Sequence, residues 1–134
     1  MEILALDVGT IRVGIARAST RARLPEPLKT VKTEEAIEQL RKIVKENEVK
    51  IIVAGLPRNL SGEDTGQTRW VRDWVAQAKA ELGVDFYWQD EALTSVQAIS
   101  NKQKAISNAD EHSLAAAIIL ADFLSTDINN RVLV

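Results

Sequence analysis

The stretch Leu4-Ala5-Leu6-Asp7-Val8-Gly9-Thr10-Ile11-Arg12-Val13-Gly14-Ile15-Ala16 decides the fold. Four apolar residues, Ile3 to Leu6, read as a buried strand, and Asp7 follows directly where that strand should leave its sheet. Gly9 permits a tight reversal into a second strand, and Gly14 inside that strand marks a point of close backbone approach. Asp7 alone has two readings: a brace for the turn, bonded to its own backbone, or a functional carboxylate. A second signal has to decide between them.

That signal is Val84-Asp85-Phe86-Tyr87-Trp88-Gln89-Asp90-Glu91-Ala92-Leu93-Thr94-Ser95, an aromatic-rich strand with adjacent acids at its end. If it runs parallel to the first strand and near it, Asp7 and Glu91 converge at one sheet edge. In open α/β sheets that carboxyl edge is where ligands bind. Glu91 also precedes an expected helix, Ser95 to Asn101, where an acid would favour the helix dipole. Two carboxylates held close repel each other, and a hard cation such as Mg²⁺ or Mn²⁺, as one or two ions, is the usual means of keeping both charged.

A third stretch, Asn108-Ala109-Asp110-Glu111-His112-Ser113-Leu114-Ala115-Ala116-Ala117-Ile118-Ile119-Leu120, opens a helix that is almost wholly apolar from Leu114 onward. Such a helix belongs against the sheet, with its polar first turn near an edge. His112, the one histidine of the chain, aligns with Ala115, Ala116 and Ile119. A lone histidine on an apolar face reads as a satisfied core residue as well as a site residue. Asp110 has the form of an N-cap, and Asn108-x-x-Glu111 that of a capping box.

Taken together, these residues resemble the YqgF family of Holliday-junction-resolvase-like proteins, also described as pre-16S rRNA nucleases. The resemblance runs through Leu6-Asp7-Val8-Gly9-Thr10, Arg12-x-Gly14, Gly55-Leu56-Pro57-x-Asn59 with Gly62, Asp90-Glu91-x-Leu93-Thr94 and the closing Ala115-Ala116 helix. It implies a ribonuclease-H-like α/β fold with a mixed five-stranded sheet and flanking helices. It also implies a metal-binding cluster of acids from the first strand, a later strand end and the last helix. Asp7 and Glu91 fall on the first two acids. At the third, where the family usually has Asp, this chain has His112, and Asp110 or Glu111 stands close by to substitute. Imidazole suits Mg²⁺ less well than a carboxylate does. Ala92 replaces a common Arg, and Ser19-Thr20 stands where an acid often follows the second strand.

Composition agrees with one domain over residues 1–134. The chain is 46% hydrophobic and 27% charged, an ordinary globular balance, and its length suffices for its own core. It has no cysteine, which excludes disulfides and thiolate metal sites. The sequence shows no signal-peptide pattern and no apolar run of membrane-spanning length, so a cytoplasmic protein is expected. The net charge of −2 does not advertise a polyanion partner. Its distribution has two readings: residues 11–32 hold Arg12, Arg17, Arg21, Arg23, Lys29 and Lys32 against Glu26 alone, either an ordinary solvated hairpin and loop or a phosphate-binding surface that would steer nucleic acid toward an acidic site.

Along the chain, strands are expected at 2–7, 11–18, 28–31 and 50–54, with helices over 33–47 and 66–82, the second stopped by Gly83. Trp70 and Trp74, one turn apart, read as packing residues. The loop 55–62 carries Arg58, with a fork suited to phosphate, and Asn59. The end Val132-Leu133-Val134 packs either on the body or on a second copy, and a monomer or weak homodimer is expected.

The expected activity is metal-dependent phosphodiester hydrolysis. Asp7, Glu91 and Asp110 are the expected metal ligands, and His112 completes the shell or moves a proton. Arg12, Arg58 and Asn59 are the expected substrate contacts. By family resemblance the substrate is pre-16S rRNA or branched DNA. Two other readings stay open: a nucleic-acid-binding protein without catalysis, and a sugar-kinase-like or actin-like nucleotide fold, which would need two such domains.

Overall fold

A computed structural model of the chain describes residues 2–57, 63–91 and 110–134, with residue 91 described by its backbone alone. The elements are β1 (Glu2–Val8), β2 (Arg12–Ser19), β3 (Glu26–Lys32), α1 (Thr33–Asn47), β4 (Val49–Pro57), α2 (Gly66–Leu82), β5 (Asp85–Glu91), α3 (Glu111–Ser125), a 3₁₀ turn (Ile128–Asn130) and β6 (Val132–Leu133). Arg58 and Asn59, the helix expected at Ser95 to Asn101, and Asn108 lie outside the described residues.

The strands form one sheet in the order β3-β2-β1-β4-β5-β6. β1, β4 and β5 run parallel, while β2, β3 and β6 pair antiparallel to their neighbours. The sheet therefore has six strands where the sequence predicts five. The extra strand is the two-residue β6, in which Val132 opposes Trp88 and Leu133 opposes Tyr87. Two hydrogen bonds fasten this tail to the body: Val134 N–H to the Phe86 carbonyl at 2.9 Å, and Lys79 Nζ to the Val134 carbonyl at 2.6 Å.

Alternation along β1 feeds two cores. Leu4, Leu6 and Val8 face α1 and α2, among Ala36, Leu40, Val71, Trp74 and Val75. Ile3 and Ala5 face α3, among Ala116, Ile119, Leu120 and Phe123. Burial on both faces is why β1 reads as an unbroken apolar run rather than an alternating one. Trp74 is buried, and Trp70 packs at the margin of the same core. α2 begins with a reciprocal Thr65–Thr68 cap and stops at Gly83, whose φ of 68° is the left-handed conformation that favours glycine.

Candidate functional site

Because β1, β4 and β5 are parallel, their C-terminal ends share one sheet edge. β1 delivers Asp7 there, in register with Gly14 on β2. By alternation Asp7 follows Ile3 and Ala5 and lies on the α3 side of the sheet. Its side chain is partly exposed.

Gly14 makes the next contact possible. A Cβ at this position would overlap the carbonyl group of His112 and stand 2.9 Å from the Ser113 nitrogen. The close approach that the sequence predicts at Gly14 is thus the first turn of α3 resting directly on β2. That seating brings His112 Nδ1 to 3.9 Å from Asp7 Oδ2. The gap is too long for a hydrogen bond and within reach of an ion pair when the imidazole is protonated. With its side chain 43% exposed, His112 is not a core residue.

Asp110 holds that turn in place. Its Oδ1 accepts from the Ser113 backbone N–H at 3.0 Å and from Thr30 Oγ1 at 2.5 Å. Thr30 opposes Gly14 from β3, so Asp110 sits over β3, on the far side of β2 from Asp7. Burial opposes ionisation of this carboxyl, but hydrogen bonds from Thr30, Ser113 and the His112 backbone outweigh it and hold its pKa below the ordinary 3.8. The residue that caps α3 is therefore Asp110.

Glu91 ends β5 opposite Pro57 of β4. β4 lies between β1 and β5, so Asp7 and Glu91 share an edge but not adjacent strands. Two strand spacings amount to roughly 10 Å between backbones. Leu6 pairs with Ala54 and Ala54 with Trp88, which sets Asp7 level with Gln89 and Glu91 two residues further out. Among the described residues no three His, Asp or Glu side chains gather at metal-ligating range. The donor pair in view is Asp7 with His112, and Glu91 is present by its backbone position.

The β1–β2 turn forms one wall of an open cleft of about 410 Å³, lined by Gly9, Thr10, Ile11, Arg12, Gln67 and His112. Gly9 N–H donates to the Arg12 carbonyl at 2.9 Å. Thr33 then ties the turn down twice, through its N–H to the Ile11 carbonyl at 2.9 Å and its hydroxyl to the Gly9 carbonyl at 2.7 Å. The sequence marks Thr33 as a helix start; this second use joins residues 24 apart, for which no local pattern exists. Gln67 likewise carries no signal in the sequence.

The basic stretch 11–32 divides in two. Arg17 pairs with Glu26 at 2.9 Å, Arg23 donates to the Leu124 carbonyl at 2.7 Å, and Lys29 reaches Gln39 at 3.3 Å. Arg12 and Lys32 oppose each other across β2 and β3, beside Thr10 and Glu34, with no ion pair or side-chain hydrogen bond among the described residues. Arg21 likewise has none among the described residues.

A sheet led by an antiparallel β1–β2–β3 unit, continued by parallel β4 and β5 and carrying acids at the β1 and β5 ends, has the ribonuclease-H-like arrangement. The solved structure "T. thermophilus RuvC in complex with Holliday junction substrate" shares this fold, with a TM-score of 0.64 and 14% identity over 100% of this chain and 99% of that one. The chain belongs to the family described as "RuvX: Holliday junction resolvase", whose sequence model matches residues 1–126. A protein of Fusobacterium nucleatum named "Putative pre-16S rRNA nuclease" is 32% identical, with 90% of this chain and 94% of the relative covered. Relatives of the same name from Clostridioides difficile (34% identical, covering 96% of this chain and 97% of theirs) and Chloroflexus aurantiacus (36% identical, 96% and 89%) also match.

Proposed function

We propose that this nuclease hydrolyses phosphodiester bonds in RNA, in 5′-end maturation of pre-16S rRNA, with Mg²⁺ or Mn²⁺ as its cofactor. The observation that carries the reading is the seating of His112 beside Asp7 at the carboxyl edge of the parallel strands. The names of the relatives supply the substrate.

A carboxylate oxygen and an imidazole nitrogen 3.9 Å apart, both partly exposed, form a donor pair that a divalent ion fits, Mn²⁺ better than Mg²⁺. Asp7, Glu91 and His112 would hold it. An ion held there would supply a nucleophilic water and offset charge on phosphate oxygens. The other chemistry belongs to the chain. Arg12, with Arg58 and Asn59, grips the flanking phosphates. The sequence assigns Asp110 to the metal as well. We give it the role of anchor instead, because its Oδ1 is committed to Thr30 and Ser113 and it lies over β3. An rRNA substrate calls for a cytoplasmic protein, working as a monomer or weak homodimer. No described helix is long and apolar enough to cross a membrane.

Branched DNA is the second reading, favoured by the family's description and by the fold shared with RuvC. Cleavage of a labelled pre-rRNA leader, a single-stranded RNA and a four-way DNA junction, with each metal in turn, separates the two. Preferential cutting of the leader supports rRNA maturation. Cutting confined to the junction overturns it.

A further inference from the structure

Ile11 is 75% exposed, the most exposed large apolar side chain among the described residues. An isolated exposed isoleucine needs no special account. Its setting gives this one a role. Ile11 lies on the wall shared by two clefts. The first, of about 410 Å³, is also lined by Gln67 and His112. The second, of about 340 Å³, has Lys32 and Glu34. Ile11 thus stands on the turn between a cleft bordered by His112 and a groove bordered by Lys32, with Arg12 lining both and neither cation paired among the described residues.

The turn is stiff. The turn hydrogen bond from Gly9 to Arg12 and the two bonds from Thr33 fix the backbone on both sides of Ile11. A Cβ at Gly9 would stand 2.8 Å from the Arg12 carbonyl oxygen, so the turn has little room to rearrange. β-branching further limits the side chain's rotamers. An apolar tip held rigidly between a phosphate-binding groove and a hydrolytic centre has the properties of the wedges with which nucleic-acid-binding proteins part stacked bases. Glu34 in the groove repels phosphate on its side and leaves Arg12 and Lys32 as the phosphate contacts.

We infer that Ile11 is an apolar wedge that enters between two successive bases of the bound strand, while Arg12 and Lys32 hold the adjoining phosphates. The inference rests on the reading of the Asp7–His112 site as a nuclease centre. A wedge unstacks one step and presents the adjoining phosphate to the site, and it does so without reading base identity, since isoleucine offers no hydrogen bond.

The test uses Asp7→Asn protein, to hold the substrate uncut, and a series of single-stranded RNA oligonucleotides that carry one 2-aminopurine at successive positions. Fluorescence should rise on binding, reporting a base unstacked by the wedge, whichever position carries the label. Ile11→Ala and Ile11→Thr, added to Asp7→Asn, should abolish that rise and weaken binding by about 10-fold. Arg12→Gln should weaken binding and lower the salt dependence by about one charge while leaving the fluorescence rise of the bound RNA in place. Binding with an unchanged fluorescence pattern in both Ile11 variants overturns the wedge. Failure of Asp7→Asn and of the wild-type protein in chelator to bind any of the RNAs at low salt overturns the RNA reading of the site, and the wedge with it.

Discussion

Gly14 and His112 are in backbone contact: the first turn of α3 rests on β2 at the one point where the strand has no side chain, and this contact sets the imidazole 3.9 Å from Asp7. Gly14→Ala should therefore do two things. It should cost about 1–3 kcal/mol through overpacking, and it should lower cleavage further by moving His112 away from Asp7. Gly66→Ala is the control, because a Cβ there meets nothing within 4 Å. Thermal unfolding with cleavage rates on both variants checks this; equal effects at the two positions would refute it.

Asp110 serves α3 as its cap, and the consequences of that role depend on pH. Its folded pKa lies below 3.8, so its ionised form stabilises the fold above that value, and the contribution is lost as pH falls through the folded pKa. Asp110→Asn keeps a capping oxygen and cannot titrate. The stability gap between wild type and Asp110→Asn should be constant above about pH 5 and shrink below about pH 4. Asp110→Ala should cost about 0.5–2 kcal/mol at neutral pH. Denaturant unfolding across this range is the measurement. Cleavage that survives in Asp110→Asn supports an anchor; cleavage lost with stability intact makes Asp110 a metal ligand.

Thr68 joins the end of β4 to the start of α2. It is fully buried, donates its hydroxyl to the Pro57 carbonyl, and takes part in the reciprocal cap with Thr65. Thr68→Val keeps the volume and removes the donor, leaving the Pro57 carbonyl unsatisfied in the core. The expected cost is about 1–3 kcal/mol, against a few tenths for Thr68→Ser, which keeps the hydroxyl. Equilibrium unfolding of the two variants checks it.

His112 should set the preference for metal. With imidazole in the donor set, Mn²⁺ is expected to bind more tightly than Mg²⁺, and His112→Asp should narrow that gap by raising affinity for the harder ion. Calorimetric titration of both proteins with each metal reads this independently of turnover. An unchanged ratio in His112→Asp would remove His112 from the ligand set.

How much of this was legible in the sequence depended on range. The β1–β2 opening, the Gly14 contact point and the stop of α2 at Gly83 follow from local rules of strand, turn and helix end. The placement of β4 between Asp7 and Glu91 does not, because strand order is set by packing between elements far apart in the chain. For the same reason the bond from Thr30 to Asp110, spanning 80 residues, has no local pattern in the sequence. β6 has two residues, too few for any periodic pattern. Charge counting over 11–32 found a basic region, and the structure divides it: Arg17, Arg23 and Lys29 are engaged by Glu26, the C-terminal end of α3 and Gln39, while Arg12, Arg21 and Lys32 have no ion pair or side-chain hydrogen bond among the described residues.

The central claim is that Asp7 and His112 belong to one metal-dependent hydrolytic centre. Cleavage of a labelled pre-rRNA leader by wild type, Asp7→Asn and His112→Ala, each with Mn²⁺ and with chelator, tests it most directly when RNA binding is measured in parallel. The account predicts cutting by wild type with Mn²⁺ alone, loss of cutting to background in Asp7→Asn, a marked fall in His112→Ala, and RNA binding retained in all three. Cutting by Asp7→Asn at the wild-type rate, or cutting undiminished by chelator, would contradict it.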